Sequence, residues 1–460
     1  MCSKNKGRSE KERLNYKMRV VILGGGLAGL STAYYLQKFD WVDSVKVLES
    51  EDRIGGLAKS LFYDGYTYDI GPHIIFSKNK EILNELLDFI EVGTNKIKRS
   101  NEIYYKGKLI QYPFENDLSK LPKDDLEYCI RAFDSNPYEN YIPQNMLQFF
   151  LKTFGEGITN VYLRPYNEKI WKFDPSCMNT SMVERIPKPT KDEIRRSASG
   201  ETIEGYLHQL YFEYPSTRGI GAICEGIYSK LDTDKCEVLL NSRVIKVSKS
   251  DTYYKINTDS GKCVEGELVI STMPVHDLVD ATEDVPKYVI EAKDDLKYNS
   301  ILIAFVRTPY DMYGEHYAYT VPDKNIIFHR ISKMDFLGES YHRDGEATFM
   351  VEITYRDGDV FSNMTDDAIR EKIAKGFVDI NIAKNANDVE VLNMTRHKYA
   401  YVIYDLNHTT NIDVIRKYYR ELSICLNGRF GNFEYWNMDK VLEESKKLSE
   451  RLNEEHISKK

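Results

Sequence analysis

The sequence predicts an α/β fold: a Rossmann-like parallel-sheet domain, an inserted mainly helical domain and an antiparallel β-sheet domain. Three observations predict it. MRVVILGGGLAGLSTAYYLQK (18–38) joins a β-branched strand to a helix through a glycine turn, and SVKVLES (44–50) reads as the next strand. From about 95 to 215 the chain is punctuated by Pro, Tyr and Asn, and it reads as mostly helical without the alternation of a sheet. Segments such as ILIAFVRTP (301–309) and ATFMVEITY (347–355) alternate in the manner of antiparallel strands.

The glycine turn carries the most chemistry. Gly24, Gly26 and Gly29 form G-x-G-x-x-G directly between strand and helix. The first glycine permits the tight turn, the second lets a pyrophosphate approach the backbone, and the third lets the helix pack on the strand. Leu27 and Ala28 open that helix, whose free N–H groups face the phosphate. Glu49 ends the following strand, 20 residues after Gly29 and just before Ser50. There a carboxylate accepts both ribose hydroxyls and argues against a 2′-phosphate, hence against NADP. SLFYDGYTYDIG (60–71) reads as a hairpin around Asp64-Gly65. Residues 79 to 92 have helical spacing, 236–258 and 266–274 are β-rich, and an amphipathic helix closes the chain over about 438 to 454.

Bulk properties narrow the class. The 460 residues suit two or three domains. With 42% apolar residues and no stretch near the roughly 20 a bilayer crossing needs, a soluble protein is expected. The charged start lacks an apolar signal core, so a cytoplasmic location is expected, with residues 1–17 as a disordered arm. Cys2 in place of glycine removes N-myristoylation. The net charge of −8, from 63 basic and 71 acidic residues, includes no dense basic stripe, which excludes nucleic acid as a partner. Anionic small molecules stay compatible with it, because a local arginine pair outvotes a weak global charge. Seven scattered cysteines without C-x-x-C indicate a reducing compartment, mostly buried thiols and no metal site.

EDRIGGLAKS (51–60) places Arg53, the Gly55-Gly56 pair and Leu57 just past the second strand. It resembles the R-x-G-G segment of the amine oxidase and glutathione reductase superfamily of flavoproteins. SRVIKV with Val244, ELVISTMP (267–274) and GRFG (428–431), with Gly428 and Arg429, resemble its later segments in the same order. The resemblance implies FAD, contacted by the three turn glycines, Leu27, Ala28, Glu49, Ser50, Arg53, Gly55, Gly56, Leu57, Val244, Gly428 and Arg429. It divides the chain into a discontinuous FAD-binding domain (18–76, 220–280 and 395–456), a mainly helical substrate domain (77–219) and an antiparallel sheet substrate domain (281–394).

Longer stretches resemble one branch of that superfamily, the UDP-galactopyranose mutases of eukaryotic type. They are GPHIIFSKNKEI (71–82), GKLIQYPFENDLSKLPKDDLEYCI (107–130), FGEGITNVYLRPYNEKIW (154–171), NIIFHR (325–330), YAYVIYDL (399–406) and GRFGNFEYWNMD (428–439). The resemblance implies an isomerase of UDP-linked sugars, of the kind that serves cell-surface polysaccharide synthesis, with N5 of reduced FAD as the nucleophile. Arg164 and Arg330 match the two diphosphate-binding arginines, and Tyr401 and Tyr435 the tyrosines that hydrogen-bond the same phosphates. His73 matches the histidine beside the isoalloxazine ring, completing a catalytic set with the two arginines. Arg429 matches an arginine near the flavin, while Tyr112 and Asn167 fall in substrate-proximal segments.

This chain departs from the mutase pattern at Glu115, where the family has a neutral glutamine, and at Thr320, near the place of a base-stacking aromatic. The segment ending in Asn437-Met438 is shorter than its counterpart, and residues 199–219 lack the pattern. A carboxylate at 115 repels a diphosphate unless it is paired or points away. The shared FAD unit also suits an FAD-dependent oxidoreductase of the amine oxidase or protoporphyrinogen oxidase type. A non-catalytic binder like the GDP dissociation inhibitors fits the intact glycine turn and Glu49 poorly.

Overall fold

The structure, a computed structural model, describes residues 17–183, 188–201, 203 and 210–458. The arm expected over 1–17 therefore lies outside the described residues except for Lys17, as does part of the 199–219 segment.

Five parallel strands form the first sheet, in the order Ile424–Leu426, Leu268–Ser271, Met18–Leu23, Val42–Leu48 and Cys236–Leu239. A strand as apolar as MRVVIL suits the centre of such a sheet, where both faces are covered. Arg19 pins its start: the backbone N–H and the guanidinium donate to Glu267, just before the neighbouring strand, at 2.7 and 2.6 Å. Helix Leu27–Leu36 is buried on nearly every side, and its polar residues suit that because Ser31 and Thr32 donate back to the Leu27 and Ala28 carbonyls. The closing helix Met438–Ser458 lies across it, with Asn427 donating to both Thr32 and Ser445. The turn glycines and the start of Leu27–Leu36 are thus clamped between sheet and helix.

The second sheet has seven strands: Glu390–Ile403, Lys297–Thr308, Ala347–Tyr355, Arg330–Lys333, Ala318–Thr320, Asn101–Tyr105 and Lys108–Gln111. All neighbours are antiparallel except Ala318–Thr320 with Asn101–Tyr105. This draws two boundaries differently from the sequence. Residues 395–403, assigned to the FAD-binding domain, are the second half of the long strand Glu390–Ile403. The segment 77–219 holds the helices Lys80–Asp88, Lys123–Asp134, Met146–Ile158, Arg164–Trp171 and Lys191–Ala198. It also lends two strands to this sheet and pairs Thr94–Lys98 with Tyr211–Pro215. The hairpin it contains turns at Lys106-Gly107, both at positive φ, a two-residue turn matched to strand twist. The Asp64-Gly65 hairpin, also at positive φ at both positions, joins Ser60–Tyr63 to Tyr66–Asp69 as read.

One large core unites the parallel sheet, its helices and one face of the second sheet, and a smaller one packs Phe328, Phe349 and Phe377 on the other face. No described helix is long and apolar enough to cross a membrane. Among the described cysteines, Cys129, Cys224 and Cys236 are buried, Cys425 is partly buried, and Cys177 and Cys263 are exposed.

Candidate active site

The glycine turn forms a backbone cradle. Gly24 sits at φ +108, and a Cβ there would lie 2.6 Å from the Thr272 hydroxyl. A Cβ on Gly29 would overlap the Gly24 carbonyl oxygen. Gly26 caps helix Leu27–Leu36 without any side-chain hydrogen bond, and no acidic residue lies in the first turn, so this N-terminus is open to an anion. Gly55 and Gly56 run alongside it: Gly55 N–H donates to the Gly25 carbonyl at 2.9 Å. Glu49 is buried and accepts from the backbone N–H of Gly25 at 2.8 Å and of Glu51 at 2.9 Å. Oε1 also takes the Ser50 hydroxyl at 3.1 Å, so Oε2, bound by Gly25 N–H alone, is the oxygen that keeps a lone pair for a further donor. Arg53 is half-exposed over the Phe62 ring, buried Lys59 closes the segment by pairing with exposed Glu51, and Val244 begins the strand Val244–Lys249.

A second group of side chains converges on Arg330. Strands Arg330–Lys333 and Ala347–Tyr355 place Arg330 directly opposite Glu352. Glu352 is fully buried; it accepts from Arg330 Nε and, at 2.6 Å, from Nη2. The Tyr401 hydroxyl lies 3.4 Å from both Arg330 Nη2 and Glu352 Oε2. Burial works against the Arg330 charge, but Glu352 and then Tyr401 hold the guanidinium well above its usual range. Arg330 therefore stays cationic with its fork fixed in direction. The rings of Tyr401 and Tyr435 lie 6.0 Å apart and nearly parallel, with Trp171 edge-on to both.

His73 marks where the two groups meet. It follows Gly71, at φ +86, where a Cβ would lie 3.5 Å from Glu352 Oε2. Burial first, then the charges of Arg429 and Arg330, push the imidazole down to about 4, so it is neutral at physiological pH. Its Nδ1 is buried with no partner among the described residues. On the cradle side, Gly428 packs against Ala28, and the adjacent Arg429 donates to the carbonyls of Trp436 and Ala400. The Arg429 guanidinium lies 4.0 Å above the Tyr435 ring, a cation–π contact that joins the helix N-terminus to the tyrosine pair.

The other sequence candidates are placed differently. Tyr112 is 43% exposed, and the ionisable groups facing it are Glu115, Arg99, Arg330 and Tyr435, which sets it at the mouth of the cleft. Asn167 commits its amide within its own helix, donating to the Leu163 carbonyl and accepting from Trp171 Nε1, both at 2.7 Å; it orients Trp171. Arg164 is half-exposed and donates to Glu168 at 2.7 Å, and Glu168 also takes Lys324 at 2.5 Å. Its partner is thus an i+4 neighbour on its own helix, not the Arg330 group. Glu352 and Trp171, which touch Arg330, Tyr401 and Tyr435, were not singled out from sequence; only the i+4 spacing of Asn167 and Trp171 was a usable signal.

A family model described as flavin containing amine oxidoreductase matches residues 27–420. The chain belongs to this family. Its fold is similar to that of a crystal structure of reduced UDP-galactopyranose mutase, with a TM-score of 0.86 and 23% identity over 95% of each chain. It is 23% identical over 291 residues to a coproporphyrinogen III oxidase of Bacillus subtilis, and 20% identical over 260 residues to polyamine oxidase 4 of Oryza sativa subsp. japonica. Those alignments take in 56% of this chain each, and 60% and 51% of the two relatives, less than two thirds of their length.

As a member of that family the chain is a flavoprotein, and its cradle fits the dinucleotide form of the cofactor. The open helix N-terminus suits a pyrophosphate, Glu49 a ribose, and the Gly55-Gly56 backbone a chain laid along it. His73 and Arg429 would then flank the ring.

Proposed function

We propose that this protein is a flavin-dependent isomerase of a nucleotide sugar, interconverting UDP-galactopyranose and UDP-galactofuranose or a closely related pair. The observation that carries the reading is the junction at His73, where the fixed Arg330–Glu352–Tyr401 group meets Arg429 and the cradle. Bound in reduced form, the flavin would supply the nucleophile toward the anomeric carbon. The protein then needs no nucleophilic side chain of its own. It needs a preorganised cation for the leaving diphosphate and walls that exclude water. Arg330, with Tyr401 and Tyr435, supplies the first; Trp171 and the tyrosine pair supply the second. Neutral His73 adds a hydrogen-bonding group without competing for the diphosphate. Arg164 joins this set only by leaving Glu168, so it contributes less in the resting state.

Substitution tests this division of labour. Arg330→Lys keeps the positive charge Glu352 needs but loses the fork. It is expected to weaken UDP binding by about 1.5–3 kcal/mol, roughly ten- to hundredfold. Arg164→Ala is expected to weaken it by less than about tenfold, since a half-exposed arginine is screened by solvent. Neither variant should alter the flavin spectrum. Titration calorimetry with UDP on the flavin-loaded protein reads both; unchanged affinity in Arg330→Lys would remove the diphosphate assignment.

A further inference from the structure

Tyr435 stands on backbone that neither sheet nor helix fixes. Tyr401, the other ring of the pair, lies in the strand Glu390–Ile403 opposite Asn299, so a ladder of hydrogen bonds sets its direction. Tyr435 lies instead in the irregular stretch between the strand Ile424–Leu426 and the helix Met438–Ser458. Phe433, just before it, sits at φ +54, a left-handed conformation that crowds a Cβ against the backbone. A residue keeps such a conformation only where its surroundings over-determine it.

Here side chains do so. Tyr404 Oη accepts from the Tyr435 backbone N–H at 2.7 Å and donates in turn to the Glu434 carboxylate. The other oxygen of Glu434 takes Arg416 Nη2 at 2.6 Å, and the same nitrogen donates to the Asn432 carbonyl at 2.7 Å. His408 Nε2 lies 2.9 Å from the Phe433 carbonyl, to which it can only donate. Arg416 and His408 are about two turns apart on the helix His408–Glu421. The His408 ring also stacks on the Tyr404 ring at 4.2 Å. Tyr404 is itself anchored, its carbonyl accepting from Asn179 N–H at 2.8 Å.

The stretch held in this way carries two groups of the cleft. The Arg429 guanidinium lies over the Tyr435 ring, and Arg429 Nη1 donates to the Trp436 carbonyl at 2.9 Å. We infer that Tyr404 is a positioning residue for the ligand's diphosphate: by holding the Tyr435 N–H it sets the direction in which Tyr435 faces the cleft. This rests on the nucleotide-sugar reading, in which Tyr435 bonds the phosphates. The Tyr404 hydroxyl is engaged as acceptor and as donor within the protein, so it acts through Tyr435. Its removal leaves a backbone N–H and a carboxylate each short of a partner, and the strained stretch is free to relax.

Tyr404→Phe keeps the ring stack and removes only the hydroxyl. Calorimetry on the flavin-loaded variant is expected to show UDP affinity about tenfold lower, with the flavin spectrum unchanged. In a Tyr435→Ala background the same substitution should weaken binding by less than about twofold, because the side chain it directs is gone. A merely structural role would carry its loss over in full. Unchanged affinity in Tyr404→Phe, or an undiminished loss beside Tyr435→Ala, would overturn the positioning role. Failure of the wild type to bind UDP would instead overturn the nucleotide-sugar reading and the role with it.

Discussion

Replacing Glu352 with alanine is expected to destabilise the protein by about 3–5 kcal/mol, because it strands the Arg330 cation in a buried site. Glu352 is fully buried and takes both the Nε and Nη2 donors of Arg330, with Tyr401 alongside. Forming such a pair brings little net stability, since both ions give up water; breaking it by removing one partner is what costs. The double variant Glu352→Leu with Arg330→Met should therefore recover most of the loss. It should still fail to bind UDP, which separates folding from function. Urea unfolding followed by far-UV circular dichroism measures the first effect. A Glu352→Ala protein within about 1 kcal/mol of wild type would mean that water reaches Arg330 through the quarter of its side chain that is exposed, and would contradict the expected loss.

The second large effect is expected at Gly29. A Cβ there would overlap the Gly24 carbonyl oxygen and come within 3.3 Å of the Thr272 hydroxyl. Both neighbours are held in place: Gly24 N–H donates to the Leu48 carbonyl, and the Thr272 hydroxyl shares its one proton between the Leu23 and Gly24 carbonyls. The helix must move away from the strand, at a cost of about 1–3 kcal/mol for a single added carbon in a packed site. That movement carries the open N-terminus off the cofactor's pyrophosphate. Gly29→Ala is expected to purify colourless, with flavin absorbance lost while the circular dichroism stays folded. Gly65→Asn is the matched control: the position also has positive φ but nothing lies within 4 Å of a Cβ there, so this variant should stay yellow.

The cradle was legible in the sequence because its rules are local. A strand, a turn with glycines at fixed spacing, a helix and an acid at the next strand end all lie within one short stretch, and each has its own steric or electrostatic reason. The Asp64-Gly65 hairpin was readable for the same reason. Glu352 was not. It sits in ATFMVEITY, which reads as an alternating strand, yet every residue from Ala347 to Tyr355 is buried. The sheet is covered on both faces there, so alternation does not reveal which side chain points where. Only the register that sets Arg330 opposite Glu352 makes them a pair, and register between distant strands is a property of the whole fold.

Non-local pairing also explains the strands hidden in the segment read as mainly helical. Asn101–Tyr105 joins its sheet by pairing in parallel with Ala318–Thr320, far along the chain, and nothing near residue 101 announces that partner. Arg164 shows the converse. Its sequence neighbourhood suggested a ligand contact, but Glu168 one helical turn away is a closer partner, and that i,i+4 pair was present in the sequence to be read. The departure at Glu115 looked repulsive for a diphosphate. The structure buries the acid without a cation, so it stays largely neutral just below neutral pH.

The most direct test of the account is turnover by the reduced protein. Purified flavin-loaded protein, reduced anaerobically with dithionite, is incubated with UDP-galactofuranose or UDP-galactopyranose, and the mixture is resolved by chromatography. Each sugar is expected to be converted into the other only when the flavin is reduced, with the flavin still reduced at the end. No interconversion, together with bleaching of the oxidised flavin by an amine or porphyrinogen substrate without added reductant, would contradict it and make this protein an oxidoreductase.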